Sequence, residues 1–557
     1  MKAVSIHVHN FRTFDDALIL LQPYSILIGV NNAGKSNLVD AIRIFYEKDI
    51  KYEETRDFPK FGTDDDESWI EIEYKPTPEE LASLREEYKT TDGTFKVRKY
   101  LKSSEKDDEG KVRSGIYGYI NGQVSGSHFY GVKNVSQGKF GEVIYIPAIK
   151  SLDDTTKFSG PSVLRDLTNN IFKQIINESP SFKYLTESVE KFSNQIKSEG
   201  NADGVSLASI ENEITHDLSG WGTEFKFIVN PLEPDVILKS LFDHSINDDA
   251  LGISQKSNSY GQGFQRQLIY SLIKISAKHQ NLKKTTTSSD FSPNLVWILF
   301  EEPEAFLHPS QIVLLDENLR ALSEGIINQV LITSHNPEFI SKNVQDIPAI
   351  ARFSKEGCKT IIGQVSKSKM DLILDENQSE IQLWLNNPKI AQLFADFDRK
   401  IEVESLKYAL WLDVRRCKAF FSSKVLLVEG SSEVTIINNL FSSSQLTAPD
   451  GGVFIHDCMG KFNIHRFMNL FGELKIYHSV LMDGDNGKYP EVDQTIQKSK
   501  NEYTLGIETL PVDLETSLGI QKNKDKPMNL LWNLKNSKID ADKLAEFRGI
   551  VEKVLAI

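Results

Sequence analysis

Apolar and polar positions alternate from Lys2 to His9, the period of a β-strand with one buried face. The run Tyr24-Ser25-Ile26-Leu27-Ile28 predicts a second strand that ends directly in Gly29. After Ser36 the period changes. Leu38, Ile42 and Phe45 recur at helical spacing, so the chain opens as strand, glycine loop, helix. Residues 69–75 and 113–120 read as strands of an open sheet, parted by polar loops at 63–67 and 103–110. From Ser162 to Ile214 the pattern turns helical and polar, with breaks at Ser179-Pro180 and at 200–204. This predicts a helical insertion near 155–220. A strand is expected at 225–229, a Thr/Ser-rich loop at 285–289, an apolar strand after it, and helices from Ser379 to Lys418. The whole is an α/β chain with a domain boundary at 415/416.

A chain of 557 residues exceeds a single core, so at least two domains follow. Hydrophobic residues at 40% and charged residues at 25% are those of a globular protein, and no segment reaches the apolar length of a membrane span, so no membrane partner is expected. The first residues lack a signal-type apolar stretch. Cys358, Cys417 and Cys458 lie far apart without CxxC spacing, which argues against zinc or a disulfide framework; a cytoplasmic location is expected. The net charge of -14 offers no global attraction to nucleic acid, so a DNA partner would need a local basic surface and metal ions. Basic runs occur at 96–102, 415–418 and 522–526. The first two read as solvated faces, and the third is evenly balanced between that and a functional role.

Gly29-Val30-Asn31-Asn32-Ala33-Gly34-Lys35-Ser36 fits GxxxxGKS between a predicted strand and helix. Glycines let backbone N–H groups approach phosphates, Lys35 offsets their charge, and the Ser36 hydroxyl suits Mg²⁺. The buried-strand pattern Leu295 to Phe300 ends in Glu301-Glu302-Pro303-Glu304. That is the pattern of an acidic strand end in which Glu301 helps hold Mg²⁺ and Glu302 orients or deprotonates water.

A second acidic constellation lies near the C-terminus. Val425-Leu426-Leu427-Val428 runs into Glu429-Gly430-Ser431-Ser432-Glu433, where a helix starting after Gly430 turns Glu429 and Glu433 toward one cavity. Leu481-Met482-Asp483-Gly484-Asp485 places two carboxylates two residues apart at a strand end, about fifty residues later, room for one βα unit. Asp513 and Glu515 add another pair, readable also as helix caps, and Lys526 stands among several lysines. Hard divalent cations take such oxygen donors, and two of them roughly 4 Å apart suit phosphodiester hydrolysis. Taken alone, 483–487 is equally a turn. His456-Asp457-Cys458 is no catalytic triad, because adjacent strand residues point to opposite faces; Gly460-Lys461 reads as a turn in preference to a phosphate contact.

Other motifs carry a family resemblance. Asn10-Phe11-Arg12 is similar to the pattern of RecF and SMC-like ATPases, Ser259 to Gln267 resembles a degenerate ABC signature, and Leu331-Ile332-Thr333-Ser334-His335-Asn336 resembles the ABC switch-histidine strand. Alone, His335 reads equally as a core histidine and Gly261 with Gly263 as a turn. The signature is not LSGGQ, no Q-loop glutamine is evident, and a glutamate replaces the usual acidic-strand aspartate. Glu429-Gly430 with Asp483-Gly484-Asp485 resembles the TOPRIM fold.

Together these motifs resemble the OLD family of nucleases: a RecF/ABC-like ATPase head with a helical insertion, followed by a C-terminal TOPRIM domain. The resemblance implies ATP contacts through Arg12, Asn32, Gly34, Lys35, Ser36, Asn37, Glu301, Glu302 and His335. It implies Mg²⁺ or Mn²⁺ at Glu429, Glu433, Asp483, Asp485, Asp513 or Glu515, with Lys526 stabilising the transition state. It further implies DNA as substrate, a dimer or tetramer, a UvrD-like helicase partner and a role in anti-phage defence. The competing readings are a RecF-like DNA clamp without nuclease activity, and a topoisomerase or primase. SMC-type chains need long heptad arms, and a topoisomerase needs a further DNA-gate domain; neither is present in the sequence.

Overall fold

The computed structural model describes residues 1–131, 140–148, 175–176, 178–196, 199–201, 205–228, 245–249, 252–256, 259–279, 291, 293, 295–340, 344–394 and 401–556. The expected insertion between 155 and 174, the loop at 285–289 and Val229 lie outside these residues. Contacts divide the chain into two compact units, one formed by 1–146 with 285–557 and the other by 147–284.

Among the described residues, the larger unit holds three sheets. One is antiparallel, in the order Phe14–Leu20, Lys2–Phe11, Ser68–Lys75, Phe95–Lys102, Gly115–Ile120, Gln123–His128. The second runs Lys359–Gln364, Ile350–Glu356, Tyr24–Gly29, Asn328–Thr333, Val296–Glu301, Glu142–Ile146, parallel apart from its first strand. The predicted strand Tyr24–Gly29 is buried at every position because it is central, as a fully apolar run requires. Ile6, Val8, Phe11, Leu38, Ile42, Phe45, Trp297 and Leu299 share one core, which seats the helix Lys35–Phe45 between these sheets.

Parallel pairing sets Glu301 beside Thr333 and Thr333 beside Leu27, so the glycine loop and the acidic strand end meet at the same sheet edge. Ligands of open parallel sheets bind at that carboxyl edge.

The third sheet is wholly parallel, in the order Phe454–Asp457, Lys424–Val428, Tyr477–Asp483, Thr504–Leu510. Leu426, Val428, Ile437, Leu481, Leu530 and Val551 form its own core. It is fastened to the second sheet by Arg352, which is 3% exposed and donates to the carbonyls of Phe420 (3.0 Å), Ser422 (2.8 Å) and Lys475 (2.8 Å). Gly363 packs at the same seam, where a Cβ would lie 2.1 Å from the Leu474 carbonyl.

The smaller unit contains helices Pro180–Ile196, Leu207–Asp217 and Gln262–His279 and a hairpin of Ile246–Asp248 with Ile253–Gln255. Of the strand expected at 225–229, the described residues 225–228 form none. Residues 223–228 are irregular, and Phe225 and Phe227 donate their backbone N–H groups to Thr215 Oγ1 and Glu211 Oε1, so side chains replace a strand partner.

Two basic runs read as solvated faces are structural. Residues 96–102 lie within a central strand: Arg98 lies 3.6 Å over Trp69 and pairs with Glu71 at 2.9 Å, and buried Lys99 pairs with Glu47 at 2.9 Å. Arg416 is tied to the Asp457 carbonyl and to Asp413. Among the described residues, no helix is long and apolar enough to cross a membrane.

Candidate functional site

The glycine loop is built by close approach. Gly29 has φ 131°, and a Cβ there would stand 1.9 Å from the Phe353 carbonyl; Gly34, at φ 106°, precedes the helix Lys35–Phe45. Helix start and loop thus present backbone N–H groups on one side. Lys35 donates to the carbonyls of Gly29 (2.9 Å) and Val30 (3.0 Å). Burial lowers its pKa to about 8, opposed by the negative charge of Glu302, Glu304 and Glu301.

Glu301 is buried and accepts from the Tyr145 hydroxyl at 2.8 Å. Glu302 adopts φ 44°, and its carboxylate lies 3.8 Å from His335 Nε2. Burial, followed by the Lys35 charge, lowers the pKa of His335, so its imidazole stays neutral. The residue that sequence reasoning missed is Glu304. Its carboxylate accepts from Ser334 Oγ and from the His335 backbone N–H, both at 2.8 Å, and so fixes the histidine opposite Glu302. Its one trace in the sequence is the third acid of Glu-Glu-Pro-Glu, which does not reveal its partners.

Asn32 on the loop and Ser36 in the first turn of the helix are exposed. Arg12 and Asn37 have internal partners: Arg12 donates to Asp57 (2.9 Å), Asp40 (2.7 Å) and Asn37 (3.2 Å), while Asn37 donates to Thr13 (2.8 Å). Both brace the first-strand turn against the loop helix. The signature-like segment lies in the smaller unit at the start of helix Gln262–His279, where Gln265 donates to the Tyr260 carbonyl at 2.6 Å and Tyr260 stacks on Phe264.

At the third sheet, the neighbouring parallel strands Lys424–Val428 and Tyr477–Asp483 deliver Glu429 and Asp483 to one edge. Glu429 accepts from the Asp483 backbone N–H at 2.7 Å. The helix Ser431–Ser442 starts after Gly430, the condition for Glu429 and Glu433 to share a cavity, and buried Glu433 accepts from the Gly430 N–H at 3.1 Å. Gly484 is required at the turn, because a Cβ would stand 2.5 Å from the Leu510 carbonyl. Beyond that strand, Asp513 caps the helix Leu514–Ser517 and accepts from Lys522 at 2.6 Å. Buried Glu515 lies 3.4 Å from Lys526 Nζ.

The carboxylates feel one another. Burial raises Asp483 to about 8, reinforced by Glu429, Glu433, Asp485 and Asp513. Burial likewise raises Glu429 and Glu433 to about 7 each. The charges of all six predicted acids thus act on this group of carboxyls. As the side chains stand, no three His, Cys, Asp or Glu groups among the described residues form a metal-binding cluster. The donors nevertheless suit a divalent cation by type: they are oxygens, several are buried, and Glu515 Oε1 is buried without a hydrogen bond. Lys461, read from sequence as part of a turn, belongs to this site. It is 3% exposed, pairs with Asp485 (3.2 Å) and Asp493 (2.8 Å), and donates to the Asp483 carbonyl.

The AAA ATPase domain family matches residues 1–88 and 72–340, and the overcoming-lysogenization-defect-like TOPRIM domain matches 420–485. The chain belongs to the AAA ATPase domain family and carries, at residues 420–485, a match to an overcoming-lysogenization-defect-like TOPRIM domain. It resembles the Old nuclease of Escherichia phage P2, with 23% identity over 467 residues, 79% of this chain and 70% of that protein. It is also similar to endonuclease GajA of Bacillus cereus (strain VD045), with 23% identity over 502 residues, 87% of this chain and 75% of that protein. Among solved structures, an SMC head bound to the C-winged helix domain of ScpA covers 67% of this chain and 100% of its own at 12% identity and a TM-score of 0.36, too slight a likeness to add to the argument.

Proposed function

We propose that this protein is a nucleotide-regulated, divalent-metal-dependent DNA endonuclease acting in the cytoplasm in anti-phage defence. The observation that carries the reading is the gathering of Glu429, Glu433, Asp483, Asp485, Asp513 and Glu515 at one edge of a parallel sheet. The similarity to two nucleases supports it.

In this reading the carboxylates hold Mg²⁺ or Mn²⁺, which when bound activates water and offsets charge on the scissile phosphate. The Asp483 backbone N–H donates to the Glu429 carboxylate and holds the two residues together, and beyond the turn at Gly484 the charge of Asp485 acts on Asp483. Lys526, at the Glu515 side, offsets charge on the phosphoryl oxygens as they develop it. At the other site Lys35 and the loop N–H groups take the ATP phosphates, Ser36 and Glu301 take its Mg²⁺, and Glu302 with His335 orients water. A homo-oligomer, dimer or tetramer, completes the nucleotide site through the Gly261 to Gln267 segment, and the resemblance to GajA extends to a UvrD-like helicase partner, GajB.

The test is supercoiled plasmid incubated with the full chain and Mg²⁺ or Mn²⁺, with and without ATP. Nicked or linear product supports the endonuclease. Topoisomer ladders, or plasmid left intact although bound, would overturn it.

A further inference from the structure

The helix Lys526–Lys535 begins at the carboxylate site and leaves it along the surface. Leu530 on one side is 1% exposed and joins the core of the third sheet. Met528 and Trp532, four residues apart, share the opposite side and are 63% and 51% exposed. A single exposed apolar side chain is ordinary, but here two large ones stand side by side on one helix face that starts at the carboxylate site. The surrounding charge is equally unusual. Residues 521–538 contain five lysines, Lys522, Lys524, Lys526, Lys535 and Lys538, and one acid, Asp525, in a chain of net charge -14. The Lys538 ammonium lies 3.9 Å over the Trp532 ring.

Two of these lysines are held by the site itself: Lys522 pairs with Asp513 and Lys526 with Glu515. The others extend the same positive surface away from it. From Lys526 to Trp532 the helix rises about 9 Å, which corresponds to two or three nucleotides at about 3.4 Å each along one strand. An aromatic face with flanking lysines matches what a nucleic-acid strand requires, a π-surface for a base and cations for its phosphates.

We propose that the Met528/Trp532 face of this helix, with Lys524, Lys535 and Lys538, is the platform that receives the DNA strand beside the scissile phosphate. Trp532 stacks on a base two or three nucleotides from the cut. The inference rests on the endonuclease reading and adds to it the surface that positions substrate. It also implies a preference for DNA with an unpaired base near the cut, since a base must leave its own stack to meet the indole.

The test is fluorescence anisotropy of the full chain with a short fluorescein-labelled duplex carrying a single-stranded flap, without metal, together with flap cleavage in Mn²⁺. Trp532→Ala should weaken binding about tenfold, within the range of one lost base stack, and lower flap cleavage at sub-saturating enzyme. Trp532→Phe should restore most of both. Lys535→Glu with Lys538→Glu should weaken binding and flatten its salt dependence. A wild type that cuts DNA while Trp532→Ala binds and cuts equally well overturns the platform and leaves the endonuclease standing. A wild type that neither binds nor cuts removes the reading on which the platform rests. A change of oligomeric state in Trp532→Ala by light scattering, with DNA affinity per protomer unchanged, would assign the face to a second copy of the chain instead.

Discussion

The Glu429 carboxylate accepts the backbone N–H of Asp483 at 2.7 Å, joining the ends of two strands that are 54 residues apart in sequence. One side chain thereby sets the spacing of two acids, and neither can move without the other. The buried carboxyls around this bond repel, and Lys461 is the cation most deeply set among them.

Lys461→Met removes that cation from beside Asp485 and Asp493. Breaking a buried ion pair costs about 3 to 5 kcal/mol, so urea denaturation in EDTA should show a loss near 3 kcal/mol. Saturating Mn²⁺ should recover much of it, because a bound divalent ion replaces the missing positive charge. An equal loss with and without Mn²⁺ would separate Lys461 from the metal site.

Stability should depend on pH in a defined direction. Asp483 is raised to about 8 and Glu429 and Glu433 to about 7 in the fold, against values near 4 for unfolded chains. Between those limits the folded state binds more protons than the unfolded state, so stability without metal falls as pH rises from about 4 to about 8. Metal must displace these protons, so Mn²⁺ should raise the melting temperature more at pH 8 than at pH 6. Asp483→Asn, with one fewer such proton, should show a shallower fall. A metal-free wild type whose melting temperature changes no more steeply than that of Asp483→Asn would contradict the coupling.

At the nucleotide site, binding and turnover should separate. Lys35→Ala removes the ammonium that meets the phosphates and should lose binding of a labelled ATP analogue. Glu302→Gln should bind it normally and hydrolyse ATP at least about 100-fold more slowly, in the range of general-base loss. Normal analogue binding by Lys35→Ala would remove the phosphate contact.

Much of both sites was legible because the signals are local. Gly29 and Gly34 mark a loop that only glycine can form, and the helix start at Ser431 meets the condition under which Glu429 and Glu433 can share a cavity. Lys461 and Glu304 were not legible. Their roles arise from partners across the fold, Asp485 and Asp493 for one and Ser334 and His335 for the other, and sequence period is blind to such contacts. The strand Phe95–Lys102 was hidden for a related reason. Adjacent Arg98 and Lys99 break the apolar alternation and point to opposite faces, where Glu71 and Glu47, supplied from elsewhere, pair with them and Lys99 is buried.

The two sites are also joined by a residue with no sequence signature. Arg352 lies beside the glycine-loop strand, paired in register with Ile28, and donates to carbonyls at the beginnings of the strands that end in Glu429 and Asp483. Arg352→Met would leave those carbonyls unpaired at about 1 to 3 kcal/mol each. A urea midpoint lowered by at least about 3 kcal/mol is expected, and a change under about 1 kcal/mol would contradict a load on this seam.

The central claim is that the acids at the third sheet cut DNA. The direct measurement is plasmid cleavage in Mn²⁺ by wild type and Asp483→Asn, each matched for ATP-analogue binding and melting temperature. Loss of a ligand weakens ion binding and misplaces the attacking water, and a displacement near 1 Å costs about 100-fold in rate. The account predicts that Asp483→Asn stays folded, binds the analogue like wild type and cuts at least about 100-fold more slowly. Wild-type cleavage by folded Asp483→Asn would contradict it.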